Sequence, residues 1–414
     1  MSDALLSYAE AAEKVAIHAR ALPAPVVENL PLAAAAGRVL ALPILADQDQ
    51  PPFARSTRDG FACRAAEASA HTDLPVAGFT RAGDAPPPSL PPAAYWQIMT
   101  GAPLPAGADA VAMLEHVECS GSLARLLPPR ILASGENFVA QGAQGRAGDV
   151  LLPAGVRIGA AQIALAAACG YATLAVYAQP RVAILTTGDE LVPVEAVPGP
   201  GQIRNTNAPM LAALVAAAGG VPRVLPTAAD SAEALDAALV SALDADLLLL
   251  SGGVSAGTHD LVEPALSRLG ARFHFTGVRI QPGKPTVFGE VLRAAEPSLF
   301  FFGLPGNPIS TAATFHLFAA PVLAALSGVQ ETGPHFVSAQ LACATDRKNK
   351  PGLTRFLPAH CDFAQPGSAM PQVATLPWHG SGDLPAFARA NCFLVVPEEY
   401  GALEAGDLVR ILPL

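Results

Sequence analysis

Between Asp246 and Gly253 the chain carries an uninterrupted apolar run, DLLLLSGG, that ends in two glycines. A strand with one face in solvent alternates polar and apolar residues, so consecutive leucines predict a strand that is buried on both faces. A second run of this kind, SLFFFGLPG, covers residues 298–306. Such strands require helices on both sides of their sheet, and this requirement favours a fold of the α/β class.

Helical segments alternate with the buried strands over residues 180–328. Asn207 is the predicted N-cap of the first helix, because its side chain can accept a hydrogen bond from the following turn. Asp230 and Glu233 have the spacing of a capping box, which predicts that the second helix begins at Asp230. Short connections between alternating strands and helices predict a doubly wound parallel sheet. The predicted helices cover residues 207–220, 230–243 and 307–326.

The rest of the chain lacks this alternation of strands and helices and is predicted to form three further domains. Residues 4–21 have the apolar spacing of an amphipathic helix, and the segment 148–171 is expected to pack back on it. Short strands punctuated by proline and glycine indicate a β-rich domain before this segment and a small β-barrel after Gly328. In chain order the predicted domains are an N-terminal linker domain, a β-rich domain, the α/β domain and a C-terminal β-barrel domain, at residues 1–47 with 148–179, 48–147, 180–328 and 329–414.

The net charge of −10 argues against a general nucleic-acid binder or a protein of anionic membranes. Glycine and proline interrupt the longest apolar runs before they reach the length of a membrane span, and the N-terminus lacks the continuous apolar core of a signal peptide. The six cysteines form no C-x-x-C pair and match no zinc spacing, which favours a reduced chain. We therefore expect a soluble cytoplasmic protein with no nucleic-acid or membrane partner.

Polar, glycine-containing loops follow the predicted strands of the α/β domain, at the edge where open parallel sheets bind ligands. In the motif SGGVSAG (251–257) the glycines expose backbone amides, while Ser251 and Ser255 add hydroxyl donors. These groups suit phosphate or another oxyanion, and a tight Gly-Gly turn without a ligand is the alternative. Lys284 is held in the stiff loop PGKP, which suits a phosphate contact, with a plain surface lysine as the alternative.

Acidic residues occur at the same predicted edge. Glu190 and Asp260 would repel a phosphorylated ligand unless a divalent cation lies between them, and Mg²⁺ binds carboxylates together with substrate phosphates in this way. Solvated loop acids are the alternative. The predicted helix cap already explains Asp230, and Asn307-Pro308 suits the start of a helix whether or not a ligand lies there.

Two further motifs, STRDGFA (56–62) and IMTGAPLPAGADA (98–110), are merely loops when each is taken alone. In order along the chain with the α/β motifs, they resemble the molybdopterin molybdenumtransferase family, whose animal relative is the C-terminal domain of gephyrin. The other matching segments are AGDVLLPAG, TGDEL, GQIRNTN, SGGVSAGTHD, PGKP and LPGNP. One of these motifs would be a weak signal, whereas the ordered set from Pro52 to Pro308 is specific.

The resemblance implies an elongated homodimer of four-domain subunits, with the active site between the α/β domain of one subunit and the β-rich domain of the other. It implies adenylylated molybdopterin and molybdate as small-molecule substrates, Mg²⁺ as cofactor and AMP as product, with the adenylyltransferase of the preceding step as a further partner. By motif match the catalytic residues are Asp59, Thr100, Glu190 and Asp260. Three of them, Asp59, Glu190 and Asp260, would hold the metal. Together with the glycine loop, the expected ligand-binding residues are Ser251, Gly252, Gly253, Ser255, Lys284, Pro305, Pro308, Asp230 and Ser381.

The chain departs from the family pattern at three places. Gln144 replaces an acidic residue, Gln281 replaces a lysine, and LTRFLP (353–358) lacks an arginine of the usual R-x-x-F-x-R. Fewer cations weaken oxyanion capture, which leaves open a paralogue that binds molybdopterin or scaffolds a partner without turnover. A different nucleotide-handling enzyme on the same α/β core is a second alternative, although the chain has no GxGxxG or P-loop signature.

Overall fold

The computed structural model describes residues 5–253, 261–293, 297–345, 352–363, 370–400 and 402–414. Ser255 and Asp260, two of the expected site residues, lie outside the described residues. Within the described part of the chain, the strands form three six-stranded sheets and four two-stranded ones.

Up to residue 177 most of the secondary-structure elements are β-strands. In chain order the elements are α1 (Tyr8–Arg20), β1 (Val27–Pro31), β2 (Ile44–Leu45), β3 (Arg55–Ser56), β4 (Gly60–Cys63), α2 (Ala65–Ala68), β5 (Leu74–Thr80), β6 (Tyr95–Ile98), β7 (Ala110–Met113), β8 (Val117–Ser120), β9 (Leu123–Leu126), β10 (Phe138–Val139), β11 (Val150–Leu152), α3 (Ala160–Ala168) and β12 (Thr173–Tyr177). A six-stranded sheet has the order β7-β4-β6-β5-β9-β8. β1 pairs with β12 and β2 with β11, so the chain before this sheet meets the chain after it.

The N-terminal helix packs against a different part of the chain from the one expected. Ser7 begins α1 with a capping box, and the buried face of Ala11, Val15 and Ala19 belongs to the same apolar core as Phe318. The α3 helix instead contributes Ala166 to a separate core, formed with β2, β12 and their neighbours. The expectation that 148–171 packs back on the N-terminal helix is therefore wrong, because α1 buries its apolar stripe against the α/β core. The predicted domain limits stay a prediction.

The alternating segment contains the second six-stranded sheet. Its elements are β13 (Arg181–Thr186), β14 (Leu191–Val192), β15 (Ile203–Arg204), α4 (Asn207–Ala217), β16 (Val221–Val224), α5 (Ala232–Ala242), β17 (Leu247–Ser251), α6 (Val262–Arg268), β18 (Ala271–Phe275), β19 (Ile280–Gln281), β20 (Val287–Val291), β21 (Leu299–Leu304), α7 (Pro308–Thr314) and α8 (Ala320–Leu326), with a π-helical turn over Phe315–Ala319. The strand order is β16-β13-β17-β21-β20-β18.

The burial of this sheet confirms the α/β prediction. Every residue of β17 and β21 is buried. Alternate residues of β17 enter two separate cores: Leu247 and Leu249 face α1, α4 and the 308–326 helix, while Leu248 and Leu250 face α5 and α6. Helices therefore cover both faces of the sheet, as unalternating apolar strands require.

Two strands at one side of this sheet reverse direction. β16, β13, β17 and β21 are parallel, whereas β20 is antiparallel to β21 and β18 is antiparallel to β20. Only residues 292–298 connect β20 to β21, and a parallel crossover needs a dozen residues or more. The reversal places the start of β20 at the same edge as the end of β21, since Val287 pairs with Gly303.

Of the three predicted helix starts in this segment, the one at Asn307-Pro308 is confirmed and the other two are wrong by one or two positions. The α5 helix begins at Ala232, and the hydroxyl of Ser231 caps it by accepting a hydrogen bond from Ala234 N at 3.2 Å. Asp230 and Glu233 therefore form no capping box. Thr206 stands at the cap position of α4, and Asn207 is the first helical residue.

The C-terminal region forms the third six-stranded sheet, with β22 (Val337–Leu341), β23 (Thr354–Asp362), β24 (Gln372–Thr375), α9 (Leu384–Phe387), β25 (Cys392–Val396) and β26 (Leu408–Pro413). Its order is β19-β23-β24-β22-β26-β25, and a further β23–β25 pairing closes the strands into the predicted small barrel. The 308–326 helix is long and apolar enough to cross a membrane, contrary to the expectation from sequence. However, 72% of its apolar window is buried inside the fold, as in a core helix.

Candidate active site

A cavity of about 760 Å³ lies at the carboxyl edge of the α/β sheet. The loops that follow β13, β17 and β21 form its base, the segment 190–207 forms one wall, and the C-terminal region contributes two residues. Its lining residues are Thr186, Thr187, Glu190, Leu191, Pro198, Gln202, Ile203, Arg204, Asn205, Thr206, Asn207, Ser251, Gly252, Gly306, Asn307, Pro308, Gly382 and Leu384. Four expected site residues are among them: Glu190, Ser251, Gly252 and Pro308.

Glu190 is positioned by the turn that follows β13. Gly188 has a φ of 143°, and a Cβ atom placed on it would lie 2.5 Å from Oε2 of Glu190. The absence of a side chain at Gly188 thus leaves the space that the Glu190 carboxylate occupies. The backbone carbonyl of Glu190 accepts a hydrogen bond from Ile203 N at 2.8 Å, which ties this turn to β15.

The two glycines after β17 have a packing role. Gly252 and Gly253 have φ values of 97° and 62°, which favour glycine. A Cβ on Gly252 would lie 2.5 Å from the carbonyl oxygen of Thr187, and a Cβ on Gly253 would lie 2.7 Å from Cγ2 of Val262. The glycine pair therefore allows the β17 loop to approach the β13 loop closely, and only Gly252 lines the cavity.

Asn207 joins two of the cavity loops. Its Nδ2 donates to Oγ of Ser251 at 2.9 Å and to the carbonyl oxygen of Gly306 at 2.6 Å. Its Oδ1 is buried and has no hydrogen-bond partner among the described residues. Asn207 belongs to the sequence motif GQIRNTN, but its prediction as a helix N-cap did not indicate that it joins the cavity loops. The first residue of α4 instead fixes the end of β17 relative to the loop after β21.

Asn205 is a second residue that sequence reasoning did not select. Its buried side chain donates from Nδ2 to Oγ1 of Thr186 at 2.8 Å and to Oγ1 of Thr227 at 3.1 Å. Its Oδ1 accepts from Ala208 N at 3.1 Å. Asn205 thus attaches the start of α4 to the end of β13, and its place in GQIRNTN was the available signal.

The PGKP and LPGNP motifs contribute unequally to the cavity. Lys284 is exposed and does not line it, and its carbonyl oxygen accepts from Val278 N at 2.9 Å. Pro305 is buried behind the cavity, where its carbonyl oxygen accepts from Oγ1 of Thr311 at 2.5 Å. Pro308 begins α7 at the wall.

Asp230 and Ser381 lie near the cavity without lining it. The backbone N–H of Asp230 donates to Oδ1 of Asp189 at 3.0 Å, which connects the loop before α5 to the loop after β13. The carbonyl oxygen of Ser381 accepts from Ile309 N at 3.0 Å. This bond holds the C-terminal region against the start of α7, so that the next residue, Gly382, reaches the cavity.

Asp59 and Thr100 meet at the first six-stranded sheet. Oδ1 of Asp59 accepts from the backbone N–H of Thr100 at 2.6 Å and from its hydroxyl at 2.7 Å. These two hydrogen bonds, the backbone one foremost, lower the pKa of Asp59 and keep its carboxylate charged. Asp59 is exposed, and neither residue lines the cavity of its own chain.

The charged groups of the cavity are few. Among its described lining residues, Glu190 is the one acid and Arg204 the one lysine or arginine, and the two form no ion pair. The described residues also contain no group of three or more His, Cys, Asp or Glu that could hold a metal ion. A cation in this cavity would therefore take oxygen ligands from Glu190 and from a bound substrate, an arrangement that Mg²⁺ commonly uses.

Three protein-family models match the chain in succession: the MoeA N-terminal region (domain I and II) over residues 6–170, the probable molybdopterin binding domain over 183–325, and the MoeA C-terminal region (domain IV) over 340–414. The chain is 34% identical over 400 residues to the molybdopterin molybdenumtransferase of Nostoc sp., a match that covers 94% of this chain and 88% of that protein. The chain belongs to the MoeA family. A MoeA relative from Haemophilus influenzae, also called molybdopterin molybdenumtransferase, is 33% identical, with 95% of each chain covered.

Solved MoeA structures extend this similarity to the whole fold. The molybdopterin biosynthesis MoeA protein of Pyrococcus horikoshii superposes with a TM-score of 0.79 at 27% identity, covering 99% of this chain and 100% of that one. A second structure of the Pyrococcus horikoshii MoeA protein gives a TM-score of 0.74 at 29% identity, with 99% of each chain covered. The chain therefore has the same fold as the solved MoeA proteins from the N-terminal helix to the C-terminal barrel.

Proposed function

We propose that the chain is a molybdopterin molybdenumtransferase of molybdenum cofactor biosynthesis. In the proposed reaction it moves molybdenum from molybdate to adenylylated molybdopterin and releases AMP. The observation that carries the proposal is the cavity at the carboxyl edge of the α/β sheet, where Ser251, Gly252 and the start of α7 converge in a member of the MoeA family. Open α/β sheets bind nucleotide-like ligands at this edge.

The chemistry needs no nucleophile from the protein. An oxygen of molybdate attacks the molybdopterin-side phosphorus of the phosphoanhydride, and AMP leaves with the bridging oxygen as that P–O bond breaks. As the two dithiolene sulfurs then bind molybdenum, the Mo–O bond to the molybdopterin phosphate breaks and that oxygen stays on phosphorus. The two thiol protons pass to the released phosphate oxygen and to a metal-bound oxygen. The protein's part is to hold the two anions in contact and to supply donors to the phosphate oxygens, which lowers the barrier through proximity and electrostatic stabilisation. Ser251 and the amides of the β17 loop are the proposed donors.

Mg²⁺ is the proposed cofactor. The Glu190 carboxylate lines the cavity, and oxygen ligands of this kind suit Mg²⁺ when substrate phosphates complete its coordination. Bound there, the ion would neutralise charge on the phosphate oxygens. Asp260 and Asp59 are the further proposed ligands.

A homodimer with a shared site is the proposed assembly. Asp59 holds an exposed, charged carboxylate beside Thr100, and neither residue lines the cavity of its own chain. We propose that these two residues complete the cavity of a second subunit. The cytoplasm is the proposed location, and the adenylyltransferase that makes the substrate is a proposed partner.

The decisive experiment combines the pure protein with adenylylated molybdopterin, Mg²⁺ and molybdate, and follows AMP by chromatography. Release of AMP that requires molybdate supports the transferase. A parallel reaction without molybdate is the control for simple hydrolysis. Binding of adenylylated molybdopterin with no AMP release would contradict the proposal and indicate a protein that only carries the ligand.

A further inference from the structure

We propose that Arg204 binds a tetrahedral oxyanion of the substrates in the cavity of the α/β sheet. The inference rests on the function proposed for that cavity. Arg204 belongs to the motif GQIRNTN, but the sequence analysis gave it no role. The shared chemistry is that of a phosphate group or of molybdate, both of which present several oxygens to a planar donor.

The position of Arg204 is fixed by two local interactions. It ends β15, whose pairing with β14 sets Val192 beside Arg204. Its Nε donates to the carbonyl oxygen of Ala196 at 3.0 Å, which restricts the plane of the guanidinium group. Arg204 lines the cavity together with its neighbours Ile203 and Asn205. Arg204 is thus an oriented donor at the cavity wall.

The remaining donors of Arg204 are not used by the protein. Its two terminal nitrogens form neither a hydrogen bond nor an ion pair with any residue that the structure describes. Arg223, in β16 of the six-stranded sheet, shows the contrasting case, because both of its terminal nitrogens donate to Asp244. A guanidinium group with unused parallel donors is suited to bidentate contact with an oxyanion.

The net charge of the chain favours this contact. The chain has a net charge of −10, so an anionic substrate approaches against the overall field and needs a local cation. Arg204 is the one lysine or arginine among the described lining residues, whereas Lys284 lies outside the lining. Glu190, the acid of the same cavity, forms no ion pair with Arg204 in the described structure, so the guanidinium is not neutralised there.

The test replaces Arg204 by Gln and by Lys in the full chain and measures AMP release while each substrate is varied in turn. Arg204→Gln should raise the KM for the bound oxyanion by about 10-fold or more, because a charge-assisted bidentate pair is lost. Arg204→Lys should restore part of that loss, since it keeps the charge without the planar fork. A rise in the KM for adenylylated molybdopterin assigns the contact to phosphate, and a rise in the KM for molybdate assigns it to molybdate.

Arg223→Gln is the matched control, since it removes another exposed strand arginine, one in β16 that does not line the cavity. Thermal unfolding checks that all variants fold. Unchanged KM values for both substrates in folded Arg204→Gln would overturn the inference.

Calorimetric titration with adenylylated molybdopterin and with molybdate separates this inference from the proposed reaction. Wild-type protein that binds either ligand without releasing AMP would contradict the reaction, while weaker binding by Arg204→Gln would still support the oxyanion contact. Equal binding by wild type and Arg204→Gln, or no binding of either ligand by wild type, would overturn the contact.

Discussion

The cavity of the α/β sheet and the loop that carries Asp59 present their carboxylates in different ways. Around the cavity, Asn207 connects separate loops, and Glu190 is held over Gly188. At the first sheet, Asp59 is held by Thr100 alone among its described side-chain contacts, and it is exposed. The first region is assembled from parts of its own chain. The second holds a charged group that does not line the cavity of its own chain, which is why we propose that it serves a second subunit.

Replacing Asp59 by Asn tests this contrast with the largest expected effect. The amide oxygen can still accept both bonds from Thr100, so the loop should keep its shape while it loses the charge. Molybdate-dependent AMP release should fall by ~100-fold or more if the carboxylate takes part in the reaction. Asp84→Asn is the control, because Asp84 is an acid of the same region whose side chain contacts Arg81 alone among the residues that the structure describes. Activity equal to wild type would remove Asp59 from the site.

Mixing two impaired variants, assayed at a Mg²⁺ concentration at which Glu190→Gln alone releases little AMP, tests whether the regions belong to different subunits. Asp59→Asn and Glu190→Gln subunits that reassociate at random should recover about a quarter of wild-type activity, since half of the dimers are mixed and one of their two sites is intact. Each variant incubated alone is the control. No recovery, with mixed dimers demonstrated by tag pull-down, would place both carboxylates in one subunit's site.

Glu190→Gln alone tests the proposed cation. The amide keeps the size of the side chain but loses the charge that a divalent ion requires, so the Mg²⁺ concentration for half-maximal AMP release should rise by about 10-fold. Glu195→Gln, an exposed acid of the same wall that does not line the cavity, should leave it unchanged. An identical Mg²⁺ titration for Glu190→Gln and wild type would contradict a metal contact.

Asn207→Asp tests the connection between the cavity loops. A carboxylate cannot donate to Ser251 or to the carbonyl oxygen of Gly306, so kcat/KM at pH 8 should fall by ~10-fold, as expected for lost donors in a half-buried site. As the pH falls, protonation restores one donor, and activity relative to wild type should rise. Asn391→Asp is the control, because Asn391 donates from Nδ2 to the Cys361 carbonyl oxygen and accepts from Cys361 N, away from the cavity. Equal pH profiles for Asn207→Asp and wild type would show that the connection is not needed.

The smallest expected effect concerns the 308–326 helix behind the cavity and is measured as the pH dependence of the free energy of unfolding. Burial lowers the pKa of His316 to about 4, and its Nε2 has no hydrogen-bond partner among the described residues. The unfolded chain binds this proton first, so the stabilisation is complete above pH ~6.5 and is lost as the pH falls toward 4. Between pH 7 and pH 5 this group should cost about 2 kcal/mol of unfolding free energy.

His316→Leu should reduce that loss in denaturant titrations, while His360→Gln, at an exposed position, should not. The same pH dependence in His316→Leu and wild type would show that the buried imidazole does not titrate on unfolding.

The burial of several strands could be predicted from the sequence of each strand. The leucines of β17 and the phenylalanines of β21 predict burial on both faces, because burial of a strand depends on the residues of that strand. The reversal of β20 was missed, since a short connection allows it but residue patterns do not record strand direction. The caps of α4 and α5 were misplaced because Asn, Asp and Ser near a helix start are chemically interchangeable, and the side-chain partners decide among them.

The sequence by itself determined the α/β class, the C-terminal barrel and the MoeA family, because apolar periodicity and ordered motifs are properties of the chain. Only the tertiary structure decided which polar residues meet. Asn207 and Gly306 are far apart in sequence, yet they contact each other because β17 lies between β13 and β21 in the sheet. Arg204 became a binding candidate for the same reason: its value depends on where its unused donors lie, and that is a property of the assembled cavity.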